Sequence, residues 1–138
     1  MTGFATIETT FTTSDGRLFS AELGRVESTM IGIEDHGVMT ARLSFGFDGT
    51  GQGTGDYVLD GKPSEPGGDR TPHVICGAYI AALIKVCGVD SWEQIKGRPL
   101  LVLREGKWGR ILGLADPFKA DNYLVFKDLI DTFRLEAS

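Results

Sequence analysis

The stretch Val38–Phe47, VMTARLSFGF, decides the fold of this chain. Its alternate positions carry the apolar side chains of Met39, Ala41, Leu43, Phe45 and Phe47. Strict alternation is the pattern of a strand that lays one face on a core. The run Arg25–Ile33 before it is also apolar, and the connecting Glu34–Gly37 ends in a glycine suited to positive φ. We therefore predict that Arg25–Ile33 and Val38–Phe47 form an antiparallel pair of strands.

Further strand patterns lie on both sides of this pair. The runs Phe4–Thr13 and Leu18–Leu23 flank the turn signal Ser14–Gly16, which predicts a β-hairpin. The first 24 residues could therefore be a detachable appendage. Downstream, three short apolar runs are predicted strands: Tyr57–Leu59, Pro99–Arg104 and Arg110–Leu114.

Helical patterns occupy most of the second half. Thr71 is a plausible N-cap with Pro72 at the first helical position, and the helix should run to about Val86 and stop at Gly88. It is apolar on most sides, as expected of a central core helix. The capping-box pattern from Asp90 predicts a short second helix ending at Gly97.

The spacing of apolar residues in Leu124–Leu135 predicts a C-terminal helix. The expected fold class is therefore α+β: an antiparallel sheet packed on one central helix, with the short second helix and the C-terminal helix. A length of 138 residues, with 41% hydrophobic and 24% charged content, predicts a single domain over residues 1–138.

Charge and hydropathy exclude several classes. A net charge of −5 without a basic cluster argues against a groove for extended nucleic acid. No apolar run approaches the length of a membrane span, and the N-terminus lacks a signal-peptide pattern. Cys76 and Cys87 would lie about 16 Å apart on one helix, beyond the reach of about 7 Å that a disulfide needs. Reduced cysteines fit a cytoplasmic location.

The unusual feature is glycine, with 19 residues concentrated in Asp48–Asp56. Its centre reads GTGQGTG, and glycine lets backbone N–H groups approach an anion closely. A Rossmann fingerprint needs a helix directly after the glycines, and a P-loop needs a closing Gly-Lys-Ser/Thr. Neither is present. The segment is either a flexible hairpin tip or a shaped loop that meets a ligand or a neighbouring subunit.

Several side chains are candidate ligand contacts, each with an ordinary structural alternative. Arg70 precedes the central helix, where phosphate could bind, or it is simply solvated. Arg104 and Arg110 flank a turn and could form a small cationic patch, or they are strand-end charges. Asn122 and Tyr123 could read and stack on a base, or they start the last helix. Nucleophile motifs and metal-type spacing are missing, so we expect no catalysis, no cofactor and no metal.

Four blocks together resemble a known family. They are Ile33–Gly37 (IEDHG), Gly51–Gly55 (GQGTG), Val89–Gly97 (VDSWEQIKG) and Gly109–Ile111 (GRI). They resemble a widespread family of small bacteriophage proteins whose pattern is IEDHG, GGxGQGFGG, VDxWExLxGK and GRI. The match covers roughly Arg25–Leu114. The family is similar to the phage anti-Thoeris sponges, which sequester the cyclic ADP-ribose isomer made by bacterial TIR immune enzymes.

The resemblance implies a phage anti-defence protein of the host cytoplasm that captures a cyclic ADP-ribose isomer or a cyclic oligonucleotide without catalysis. It also implies a homo-oligomer, a dimer or a hexamer. The ligand contacts would come from the glycine segment, the arginines and aromatic or amide groups: Gly51, Gln52, Gly53, Gly55, Arg70, Tyr79, Arg104, Arg110, Asn122 and Tyr123. Thr54 and Asp56 depart from the family loop, and the Asp56 carboxylate would repel a nearby phosphate.

Two other functions remain open from the sequence. An acidic, compact phage protein could instead inhibit a host or defence protein by binding it, with the N-terminal hairpin adding a strand to the partner. A small hydrolase that acts on a nucleotide is the third hypothesis.

Overall fold

A long strand organises the sheet in this computed structural model, which describes residues 8–34, 37–47, 50–54, 57–106 and 109–136. The strands are β1 (Glu8–Thr12), β2 (Leu18–Glu34), β3 (Val38–Phe47), β4 (Thr50–Gly53), β5 (Pro99–Arg104), β6 (Ile111–Ala115) and β7 (Tyr123–Val125). The helices are α1 (Val74–Val86) and α2 (Phe126–Glu136), with a 3₁₀ turn at Trp92–Gln94. The predicted α+β class is confirmed: the described strands form a seven-stranded antiparallel sheet in the order β4-β3-β2-β5-β6-β7, and β1 pairs with β2.

Strand β2 is continuous where the sequence suggested two strands, Leu18–Leu23 and Arg25–Ile33. Its first half pairs with β5 through Ser20–Arg25, and this ladder crosses the expected break and keeps the chain extended. The irregularity comes later, as a bulge between Val26 and Ser28. The N-terminal hairpin therefore shares its second strand with the main sheet. The predicted pairing of β2 with β3 is confirmed, with Ile33 opposite Met39.

The glycine-rich segment supplies an edge strand. Thr50–Gly53 forms β4, with Gln52 opposite Phe45 of β3. The predicted strand at Tyr57–Leu59 is wrong, because this segment makes single bonds to β3 and no ladder. One of them runs from the Leu59 N–H to the Met39 carbonyl at 2.9 Å. Asp48, Gly49, Gly55 and Asp56 lie outside the described residues.

Helix α1 begins later than its sequence suggested. The backbone of Thr71 forms a two-bond bridge with Gly61 at 2.8 and 3.1 Å, which keeps Thr71 extended. The N-cap is His73, whose Nδ1 accepts from the Ile75 N–H at 3.0 Å. The predicted cap at Thr71 is therefore wrong. The predicted stop is confirmed, because Gly88 has a φ of 70°.

The other helical predictions shift by a residue or two. The 3₁₀ turn is capped at Ser91 and not at Asp90, and the Gln94 side chain accepts from the N–H groups of both residues at 3.0 and 3.1 Å. The C-terminal helix begins at Phe126, because Tyr123–Val125 is held as β7 by pairing with β6. Asn122 and Tyr123 therefore do not start that helix.

Two apolar clusters lie on opposite faces of the sheet, as the alternation along β5 requires. Val102 belongs to the larger cluster, while Leu103 belongs to the smaller one with Phe11, Ala21 and Ala115. Both helices contribute to the larger cluster. Their fully buried members there are Ile75, Tyr79 and Leu83 of α1 and Phe126 of α2.

The cysteines lie where the sequence placed them, Cys76 within α1 and Cys87 at its C-cap, and both are free. Burial raises the pKa of Cys87 to about 12. Within the described residues, neither helix is long and apolar enough to cross a bilayer.

Candidate functional site

Gln52 and Arg104, both predicted contacts, are brought together. The Gln52 Oε1 atom accepts from Arg104 Nε at 2.8 Å and from Nη2 at 2.5 Å. At its other end, Gln52 Nε2 donates to the Gly109 carbonyl at 3.1 Å. The glycine-rich strand is thus joined to the β5–β6 hairpin, although β3 and β2 lie between them in the sheet order.

Arg104 is an interior group and does not form the expected surface patch with Arg110. Its residue is only 6% exposed, and Nη1 donates to Glu22 Oε1 at 2.7 Å. The guanidinium carbon lies 4.9 Å from the centre of the Phe47 ring. A Cβ atom on residue 24 would lie 2.7 Å from the Phe47 ring. Glycine at this position therefore leaves room for Phe47 beside Arg104. The Arg104 guanidinium therefore contacts protein groups on three sides, namely Gln52, Glu22 and the Phe47 ring.

Arg70 is also engaged inside the protein. Its Nε donates to Asp60 Oδ1 at 2.8 Å, and Asp60 Oδ2 accepts from the Met39 N–H at 3.1 Å. The pair joins the loop before α1 to the first residues of β3. The start of α1 is already capped by His73, so the structure explains Arg70 without an anion.

Tyr79 is fully buried in an aromatic cluster. Its ring centre lies 5.9 Å from that of Tyr57 and 5.7 Å from that of Phe126. Burial raises the pKa of Tyr79 well above its ordinary value, and the neighbouring Thr54 hydroxyl opposes that rise only in part. The hydroxyl has no hydrogen bond of ordinary geometry to any described residue. A ligand on the protein surface would not reach this ring.

Asn122 satisfies the end of a helix. Its Nδ2 donates to the carbonyls of Lys85 and Val86 at 3.1 and 3.4 Å, at the last turn of α1, where the Lys85 carbonyl also accepts from the Gly88 N–H at 3.0 Å. A third contact, to Asp116 Oδ2 at 3.3 Å, fixes the amide from the loop side. These bonds use its donors within the protein.

Tyr123 fastens the N-terminal hairpin. Its hydroxyl lies 2.7 Å from Ser14 Oγ and accepts from the Ser14 N–H at 3.2 Å. Its ring packs edge-on against Phe11 at 5.5 Å between centres. Tyr123 therefore joins β7 to the β1–β2 turn.

Arg110 is the predicted arginine that lines the pocket described here. This cavity of about 380 Å³ is bounded by the start of β2, the start of β6, the β7–α2 junction and Tyr57. Its walls are mainly apolar, and cationic side chains complete the lining. The lining residues are Arg17, Phe19, Tyr57, Arg110, Leu112, Val125, Lys127 and Ile130.

The cations at the pocket differ in what neutralises them. Arg17 makes two parallel bonds to Asp128 at 3.0 and 2.6 Å and one to Asp15 at 3.1 Å. Lys127 pairs with Asp131, which raises the lysine pKa. Arg110 is exposed and makes no ion pair with a described residue.

Tyr57 lies close enough to Arg110 for the arginine charge to affect the pKa of the tyrosine. Burial raises the pKa of Tyr57, and the positive charge of Arg110 offsets part of that rise. The positive charge of Arg110 therefore lies beside an aromatic wall of the pocket. An apolar cavity with a guanidinium that no described carboxylate neutralises suits a ligand that has a flat or apolar body and a negative group.

The sequence identified Arg110 but missed the other lining residues. They come from separate segments that carry no shared spacing, so only the fold reveals the pocket. Gly51 and Gly53 lie in β4 away from this lining, and Gly55 falls outside the described residues. In the part of the chain that the structure describes, no group of three metal-binding side chains occurs.

Comparison with family models, with curated proteins and with solved structures gave no match for this chain.

Proposed function

We propose that this chain is a non-catalytic binding protein that sequesters a cyclic nucleotide, either a cyclic ADP-ribose isomer or a cyclic oligonucleotide. The observation that carries the proposal is the pocket in which Arg110, which makes no ion pair with a described residue, lies beside apolar and aromatic walls. Its volume of about 380 Å³ falls within the range of about 300–1,000 Å³ typical of small-molecule sites.

Each part of such a ligand has a counterpart in the lining. The rings of Tyr57 and Phe19 offer surfaces for a base, and Leu112 and Ile130 offer apolar contact for its edge. A phosphate oxygen would accept charge-assisted hydrogen bonds from Arg110. Arg17 and Lys127 add cationic groups, although their partner carboxylates neutralise much of that charge.

The lining also favours binding over bond cleavage. None of its described residues is a Ser, Cys, His, Asp or Glu. Because Asp131 raises the pKa of Lys127, this amine stays protonated near neutral pH and is a poor general base. Capture alone would then remove a signal by mass action. The phage origin, the role against host defence and the host cytoplasm follow from the resemblance of the four sequence blocks.

Thermal unfolding of the purified full chain tests the proposal. The titrants are cyclic ADP-ribose isomers, cyclic dinucleotides and cyclic trinucleotides. A ligand at a hundredfold excess over its Kd should stabilise the protein by about 2.7 kcal/mol. Arg110→Gln should weaken binding about tenfold through the lost charged bond. Lys96→Gln is the matched control, since it removes one exposed charge outside the pocket. The proposal fails if none of these nucleotides raises the melting temperature.

The same complex separates capture from hydrolysis. After incubation, the protein is denatured and the released nucleotide is identified by mass spectrometry. A binding protein returns the ligand intact. Cleaved product that accumulates beyond one equivalent per chain would instead establish the hydrolase hypothesis.

We also propose that the partner of this chain is a second copy of itself. At Arg25, β2 pairs with β3 on one side and with β5 on the other. Beyond Arg25 the β5 side of β2, Glu27–Glu34, has no strand partner among the described residues. This free edge carries Ile31 and Ile33 at 39% and 65% exposure. Unpaired edges with exposed apolar residues favour strand addition.

A further inference from the structure

The backbone next to Arg110, the pocket cation without an ion pair to a described residue, is held by a side chain from a distant strand. Gly109 directly precedes Arg110, and its carbonyl accepts the bond from Gln52 Nε2 at 3.1 Å. The Gly109 N–H donates to the Gly106 carbonyl at 3.0 Å, so residue Gly109 is held at both of its backbone polar groups, which belong to two successive peptide units. Gln52 therefore contacts the carbonyl of the peptide that leads into Arg110.

Gln52 is itself held firmly. Its Oε1 atom accepts two hydrogen bonds from Arg104, from Nε and Nη2. The remaining terminal nitrogen of Arg104, Nη1, donates a hydrogen bond to Glu22 Oε1. Arg104 is buried, and the Phe47 ring covers its guanidinium. The bonds thus form a chain from Glu22 through Arg104 and Gln52 to Gly109. A side chain that is fixed at one end can impose a position at the other.

We propose that Gln52 is a positioning residue that fixes the peptide before Arg110 and so holds the guanidinium at the pocket. This inference rests on the proposed function of the pocket. It gives the glycine-rich strand an indirect role, in which Gln52 acts on the ligand through Arg110.

Glutamine suits the position because its amide both accepts and donates. The acceptor oxygen serves the guanidinium of Arg104, and the donor nitrogen serves the Gly109 carbonyl. Glutamate would keep the first contact as an ion pair and lose the second. Its second oxygen would then face the Gly109 carbonyl oxygen without a proton between them. Gln52→Glu therefore removes the hydrogen bond to the Gly109 carbonyl and still leaves Arg104 with an acceptor.

The experiment compares the full-length wild type with Gln52→Glu, Arg110→Gln and the double variant. The probe is whichever of a cyclic ADP-ribose isomer or a cyclic dinucleotide binds the wild type. We expect Gln52→Glu to bind about five- to tenfold more weakly, and the double variant to bind no more weakly than Arg110→Gln alone. Lys96→Gln changes net charge by the same one unit and should bind as the wild type does.

Amide hydrogen exchange at 109–111, measured without any nucleotide, gives a second readout. Exchange should be faster in Gln52→Glu than in the wild type, whereas exchange in the interior of α1 should be unchanged. Equal exchange at 109–111 overturns the positioning role whether or not a nucleotide binds. Additive losses of affinity in the double variant also overturn it. A wild type that binds no nucleotide overturns the proposed function instead, and the exchange result still decides on Gln52.

Discussion

Arg70 and Arg110 are both arginines at the end of a loop, yet one meets a carboxylate and the other faces a pocket. Asp60 reaches Arg70 from ten residues earlier in the chain and is itself bonded to β3. Arg110 follows a peptide fixed by Gln52 and has no described carboxylate to neutralise it. The difference in their capacity for a ligand comes from these partners.

Arg70→Gln should lower stability without changing nucleotide affinity. Asp60 is largely buried, so the loss of its cationic partner leaves a carboxylate with reduced compensation. We expect the free energy of unfolding to fall by about 1–3 kcal/mol, measured by urea denaturation. The ratio of the two ligand dissociation constants, variant to wild type, should stay near one. A variant of normal stability that binds tenfold more weakly would show Arg70 to be a ligand contact.

Side-chain roles were the least predictable part of the candidate site. A sequence identifies Asn122 as polar and Tyr123 as aromatic, but their partners Lys85 and Ser14 lie far away in the chain. The same holds for Gln52, whose partner carbonyl belongs to Gly109. Local spacing contains no information on such contacts. Only Arg110 was found both by the sequence and at the pocket.

At the scale of elements, the backbones of β6 and β7 approach each other closely at Gly113. A Cβ on Gly113 would lie 2.4 Å from the Leu124 carbonyl oxygen and 3.3 Å from Val125 Cα. Both are backbone atoms of the paired strand, so neither can rotate away. The short strand β7, which also fastens the hairpin through Tyr123, therefore depends on glycine at this position.

Gly113→Ala and Gly77→Ala should change stability in opposite directions. The first forces β7 away from β6 and should lower the free energy of unfolding by about 1–3 kcal/mol. Gly77 is exposed within α1, and a Cβ there meets nothing within 4 Å. Alanine should raise helix propensity and stabilise by up to about 1 kcal/mol. Denaturant unfolding of both variants checks the pair, and a stabilised Gly113→Ala would contradict the β6–β7 contact.

Element types were predictable where the sequence period was strong. The alternation in β3 and the apolar residues of α1 led to the right elements, and Gly37 has the positive φ expected at its turn. Boundaries failed where a tertiary contact intervened. Pairing with β5 holds β2 straight, the Gly61 bridge delays α1, and β6 holds the residues before α2 as β7.

At the scale of the whole molecule, the β5 side of β2 over Glu27–Glu34 has no strand partner in the part of the chain that the structure describes. The residues Ser28–Ile33 on it carry neither charge nor proline, the usual protections of an exposed edge. The preceding bulge protects only the start of this edge. We therefore expect a second copy of the chain to cover this edge in solution.

Ile33→Lys should shift the chain toward monomer in sedimentation velocity. A lysine on the edge opposes pairing with a second copy through its charge and its hydration. Phe118→Lys is the control, because Phe118 is 75% exposed in a loop outside the edge. A wild type that sediments as a monomer at all concentrations would refute self-association, and so would an Ile33→Lys variant that remains an oligomer. A monomer that captures a defence protein instead would favour the inhibitor hypothesis.

Strand β2 also sets the order in which the chain can fold. Its pairings with β1 and β3 are hairpins that close short loops, whereas β5 lies most of the chain length away. Closing that long loop costs more entropy, so the β2–β5 ladder forms late. During synthesis, β2 leaves the ribosome well before β5 exists. The nascent chain must therefore pass through a stage in which both halves of the β5-facing side of β2 are open.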